Sequence, residues 1–126
     1  MTSAMSDIEA LQASLLRSLA SAHRLRILHL LGERTSCEVN ELAHELGLSQ
    51  AATSQHLGAM RRAGLVEAER DGRSHRYRVA DPQILAACGL MRDVLVRRLE
   101  RMGDLAAAVN AAQPDPSPAA SESSRE

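Results

Sequence analysis

Between Ser49 and Val66 the chain carries a run of short hydroxyls and amides, Gln50, Thr53, Ser54 and Gln55, followed by His56. Side chains of this kind read base edges, because an amide pairs bidentately with adenine and a hydroxyl bonds either a base or a phosphate. Leu57, Met60 and Leu65 supply the apolar backing, so the spacing predicts a helix with a polar outer face, capped by Ser49 and stopped at Ala63-Gly64. Val66–Asp71 and Ser74–Val79 then alternate as strands do, with Asp71-Gly72 as the turn signal between them. Arginines on such a hairpin suit contacts to a nucleic-acid backbone or minor groove. Ser49, Gln50, Thr53, Ser54, Gln55, His56, Arg62, Arg73, His75 and Arg76 are therefore the candidate DNA contacts. Arg61 and Arg24 fit either a phosphate contact or a solvated surface.

A second group could hold a metal ion. Glu41, His44 and Glu45 stand at helical spacings of three and four, which puts three potential ligands on one face. A nickel, zinc or cobalt ion could bind there with help from a second subunit, although a solvated polar face explains the same pattern. Cys37 is placed at the second helical position after Thr35, where the helix dipole would lower its pKa and make it a further candidate ligand or a reactive thiol. Cys88 reads as a small buried hydrophobe.

The elements that must position these residues follow from apolar periodicity. Ser6 is expected to cap a first helix with the stripe Ile8, Leu11, Leu15, Leu16 and Leu19. Ser21 caps a second, with Leu25, Ile27, Leu28, Leu30 and Leu31 buried and Gly32 as its end. Thr35 and Glu38 form a capping-box pattern that opens a third helix, closed by Gly47. Asp81-Pro82 starts a long last helix whose apolar residues, from Ile84 to Met102, cover more than one stripe. A helix apolar over so wide an arc needs cover on two sides, which a second copy of the chain would supply. The fold class expected is mainly α with a small β-hairpin, a winged helix-turn-helix of order α1-α2-α3-α4-β1-β2-α5, dimeric through its terminal helices. Residues 1–5 are expected to be flexible, 6–112 to form the folded domain, and 113–126, rich in Pro, Ser and Ala, to be disordered.

Composition narrows the alternatives. A chain of 126 residues supports one core. All fifteen basic residues are arginine and Tyr77 is the one aromatic ring besides the histidines, so the core is aliphatic. The net charge is only −1, yet the segment from Ser49 to Val79 carries six arginines against three acids. That local basic face is the electrostatic footprint of a nucleic-acid binder. No apolar run approaches the ~20 residues that span a bilayer, and the two cysteines fit no disulfide framework, so a cytoplasmic protein without membrane contact is expected. No nucleophile elbow, phosphate-cradling glycine loop or paired carboxylates point to an enzyme.

With these elements in order, the sequence resembles the ArsR/SmtB family of bacterial winged-helix repressors. Leu19–Leu28, Val39-Asn-Glu-Leu-Ala43, Ser49–Val66 and the hairpin from Gly72 to Tyr77-Arg-Val79 carry the likeness, within a span from about Leu11 to Leu105. It implies a homodimeric, operator-binding transcriptional regulator, more often a repressor, whose affinity for double-stranded DNA changes with a metal ion or another inducer. The family's known sensing sites carry over poorly. Aligning its thiolate motif on Glu41-Leu42 puts the cysteine positions at Glu38 and Asn40, with Cys37 one residue early, about 100° round a helix. Its site on the last helix keeps Asp81 but meets Gln83, Val94 and Arg97 at the other three positions, and its persulfide cysteine pair falls on Leu30 and Val96. Any metal would thus use a non-standard site. The alternatives are a thiol-responsive regulator, or a module whose sensing is supplied by a partner protein acting as co-regulator.

Overall fold

The computed structural model describes residues 3–112. The expected disordered tail, 113–126, lies outside the described residues. The expected flexible start holds only two residues outside them, because helix α1 runs from Ser3 to Leu19 and begins three residues before Ser6. The chain then forms α2 (Ala22–Arg34), a two-residue strand β1 (Cys37–Glu38), α3 (Val39–Leu46), α4 (Gln50–Arg62), β2 (Val66–Asp71), β3 (Ser74–Val79) and α5 (Pro82–Ala111). Two compact units divide these elements. The first reaches residue 87 and holds the helix-turn-helix with its sheet; the second holds α5 from Cys88 on.

Local chemistry sets the helix boundaries. Ser21 takes an extended backbone and its hydroxyl accepts the Arg24 amide, so α2 starts where a cap satisfies an orphan donor. The Schellman-type turn at Gly47, with φ 67°, ends α3: its amide and that of Leu48 return to the His44 and Ala43 carbonyls. Ser49 Oγ accepts the Ala52 amide and opens α4, and Asp81 Oδ1 accepts the Gln83 amide at the start of α5.

Three expectations are corrected. Gly32 does not end α2, which continues to Arg34. A Cβ there would lie 3.1 Å from a Leu85 methyl, so the glycine makes room for the first turn of α5. Glu38, not Thr35, caps α3, forming a reciprocal box with Glu41. Thr35 instead closes α2 at φ 70°, a region that β-branched residues rarely enter, so this connection is strained. The third correction is β1, which gives the sheet three strands in the order β1-β3-β2, both pairs antiparallel.

The core of the first unit is aliphatic: Ile27, Leu28, Leu30 and Leu31 from α2 meet Leu42 of α3, Leu57 and Met60 of α4, and Leu65 and Val66 at the start of the wing. Each such side chain contributes roughly 1.5–3 kcal/mol of transfer free energy. Leu25, expected inside, stays largely exposed. So do Ile8, Leu11 and Leu16 of α1, and α5 has no buried residue at all.

Candidate nucleic-acid interface

Helix α4 turns its residues by about 100° each, and burial follows that period. Thr53, Leu57 and Met60 point into the core. The opposite face carries Ala51, Gln55 and Arg62, with half-buried Gly58 between, flanked by exposed Gln50, Ser54 and Arg61. Gln55 thus stands central and exposed among small neighbours, and its amide is of the kind that can pair bidentately with an adenine edge. The Arg62 guanidinium lies beside Gly58, within 3.4 Å of where a Cβ would be. Ser49 is exposed at the helix start, where its hydroxyl serves as the cap.

Two residues of the expected reading face turn elsewhere. Thr53 is fully buried and its hydroxyl donates to the Ser49 carbonyl at 2.9 Å. It fastens the first turn of α4 from within and leaves the set of candidate contacts. His56 is half-buried, and its Nδ1 accepts from Arg24 Nε at 3.1 Å. Arg24 also donates through Nη1 to the Ser18 carbonyl at 2.9 Å, so one guanidinium ties the end of α1 and the start of α2 to α4. The His23 ring stands 5.5 Å from that of His56. Arg24, open in the sequence between phosphate contact and solvated surface, is an internal clamp.

Burial, with the Arg24 guanidinium and His23 beside it, holds the His56 imidazole below the usual histidine range. The neutral ring is therefore the folded form, and the unfolded chain binds the proton more readily. Stability is complete above the ordinary histidine value of about 6.5 and is lost as pH falls through the lower folded value. Urea unfolding between pH 7.5 and 5 is expected to show a steeper loss in the wild type than in His56→Gln, whose amide oxygen keeps an acceptor for Arg24. Parallel curves would remove His56 from the acid response.

The wing is a tight hairpin. Asp71 pairs with Ser74, leaving Gly72 and Arg73 as its loop, and Gly72 takes the φ of 64° that a two-residue turn asks of a leading glycine. Arg73 and His75 are exposed. Arg78 is held across the strands by Glu69 at 3.0 Å. Arg76 is not free either: it donates to the side chain and the carbonyl of Ser36 at 2.9 and 3.1 Å, with Glu38 and Glu41 each 3.7 Å away.

A sequence profile described as "Bacterial regulatory protein, arsR family" matches residues 21–68, which run from the α2 cap into β2. The HTH-type transcriptional regulator Rv0081 of Mycobacterium tuberculosis is 42% identical over 89 residues, 71% of this chain and 78% of that protein. The chain belongs to the ArsR family of bacterial regulatory proteins. Its relatives are transcriptional regulators rather than enzymes, and its fold agrees with theirs. The crystal structure of Rv0081 superposes with a TM-score of 0.69 at 41% identity, covering 75% of this chain and 95% of that one. The homodimeric winged helix-turn-helix DNA-binding domain of Mb0332 from Mycobacterium bovis gives a TM-score of 0.73 at 29% identity, covering 80% and 93%. A probable mercury resistance operon repressor of Streptomyces lividans is 43% identical over 74 residues, 57% of each chain.

The four candidate metal ligands of this ArsR-family chain do not converge. Cys37 lies on β1, not on a helix, and is fully buried. Burial pushes its thiol up, with Glu41 adding to the effect and Arg34 and Arg76 offsetting part of it. This reverses the expected lowering, because burial outweighs the nearby positive charges. Glu45 is bound to Arg34 at 2.9 Å, and that hydrogen bond holds its carboxyl below the usual range. Glu41 Oε1 accepts the Glu38 amide, and His44 is left exposed among them. Among the described residues no group of three or more His, Cys, Asp or Glu side chains could hold a metal ion. The described residues of one copy do not fit the ion. No helix among the described residues is long and apolar enough to cross a membrane.

The sequence reading missed Ser36 as a functional partner of the wing. The signal is faint, since a two-residue strand has no alternation to detect.

Proposed function

We propose that this protein is a homodimeric, operator-binding transcriptional regulator that reads the major groove with the outer face of α4 and holds the flanking backbone with Arg73 and His75. The observation that carries the reading is the division of α4: an inner face of Thr53, Leu57 and Met60, and an outer face of Gln55 and Arg62 among small residues, flanked by exposed Gln50 and Ser54. Repression is the expected sign, and its inducer changes the spacing of the two recognition helices. Coupling of that kind needs about 1–3 kcal/mol. The likeness to the mercury resistance repressor favours metal ions as the first inducers to test. The geometry within one copy argues that any such site is completed by a second copy. The buried Cys37 thiol, with its raised pKa, argues against a thiolate sensor, and a partner protein remains the alternative source of sensing.

The test is fluorescence anisotropy of a labelled fragment from upstream of the gene, with chelator and then with nickel, zinc, cobalt, cadmium or mercury. Binding in the nanomolar range that falls tenfold or more with one metal supports a metal-responsive repressor. Equal binding to the operator and to scrambled DNA would sink the reading-head assignment. Tight binding indifferent to every ion moves the sensing to an organic inducer or a partner protein.

A further inference from the structure

Arg76 sits on the central strand of the wing, directly opposite Glu38 of β1. Its guanidinium uses Nε and Nη2 on Ser36, the residue between strained Thr35 and buried Cys37. Nη1 and Nη2 also face the carboxylates of Glu38 and Glu41, the cap and third residue of α3. One guanidinium among two carboxylates makes a cluster of net negative charge, a poor partner for phosphate. The same fork joins three pieces of chain: the wing, the α2–α3 connection and the first turn of the helix-turn-helix.

We propose that Arg76 is a positioning residue that latches the wing to the start of α3, and so holds Arg73 in register with α4 on DNA, rather than a DNA contact itself. The inference rests on the DNA-binding reading above. Bidentate bonding to Ser36 needs the planar fork of arginine, whereas a phosphate contact needs mainly a positive charge. The bonds to Ser36 also hold the segment that Thr35 strains, since an unfavourable backbone angle persists only where surrounding contacts over-determine it.

The test compares wild-type protein with Arg73→Ala, Arg76→Gln, Arg76→Lys, Glu38→Gln and the double variant Arg73→Ala/Arg76→Gln, measuring operator affinity across a range of salt. Arg73→Ala is expected to weaken binding and reduce the salt slope by about 1. Arg76→Gln is expected to weaken it at least about fivefold, with Arg73→Ala then adding less than twofold, because the wing is already out of place. Arg76→Lys should behave like Arg76→Gln. Glu38→Gln should also weaken binding, although removing a negative charge would otherwise strengthen it; it serves where the Arg76 variants fold poorly. The proposal is overturned if Arg76→Lys binds as the wild type does, if the two single effects add with a combined slope loss near 2, or if Arg76→Gln lowers only thermal stability and leaves the effect of Arg73→Ala intact. Failure of the wild type to bind any operator fragment would instead remove the DNA-binding reading.

Discussion

Replacing Leu95 and Met102 together with glutamate is expected to leave the protein monomeric and to weaken operator binding at least ~100-fold, since a monomer meets only one half-site and half of the phosphates. Met91, Leu95, Met102 and Val109 recur along one line of α5 at spacings of four and seven, and all four are exposed. No residue of that helix is fully buried. A line of this kind suits the seam of a helix pair, where two unpaired carboxylates would carry a large desolvation cost. Glutamate is a good helix former, so the variant should keep its helical content. Sedimentation velocity reads the assembly state, circular dichroism the fold, and anisotropy the affinity. A double variant that still sediments as a dimer would move the interface elsewhere, with the exposed Ile8, Leu11 and Leu16 of α1 the next surface to test.

The second large effect belongs to the reading face. Gln55→Ala is expected to cost about 1–3 kcal/mol at the operator, roughly 5- to 150-fold, while changing binding to unrelated DNA less than about twofold. The operator position that Gln55 reads should then accept other base pairs. Thr53→Ala, two residues away, is expected to do the reverse. Its hydroxyl is buried and bonded to the Ser49 carbonyl, so its loss should lower thermal stability by about 1 kcal/mol and leave base preference alone. Selection of bound sequences from a randomised pool, beside a melting curve for each variant, separates the two cases. A relaxed preference in Thr53→Ala with no change in Gln55→Ala would mean that α4 meets DNA by another face.

That contrast also shows where the sequence is legible. Ser21, Ser49, Gly47, Gly72 and Pro82 mark boundaries through backbone demands that depend on their immediate neighbours, and each serves as its type predicts. Residue type alone does not give direction. Thr53 and His56 belong to the same polar run as Gln50, Ser54 and Gln55, but they turn inward because Leu57 and Met60 set the buried side of the helix. Applied residue by residue, the helical period would have separated them. What depends on distant chain was hidden. Gly32 looks like a stop and is a close approach to Leu85; Cys37 looks like the first turn of a helix and is a buried strand residue opposite Tyr77. Arg76 looks like a free charge because its partners lie forty positions back.

That separation has a kinetic side. Pairing β1 with β3 closes a loop of about forty residues, and in an unstructured chain closure would cost on the order of 3 kcal/mol of entropy. Once α3 and α4 are formed and packed, most of that stretch is already compact and little remains to be closed. The local hairpin of β2 and β3 can form within microseconds of its turn, whereas its link to β1 is favoured once the helices have shortened the loop to be closed. Loop-closure entropy thus predicts that the helix-turn-helix assembles first and that the wing is the last part of the reading head to reach its working position, an order that φ-values at Leu57 and Tyr77 would check.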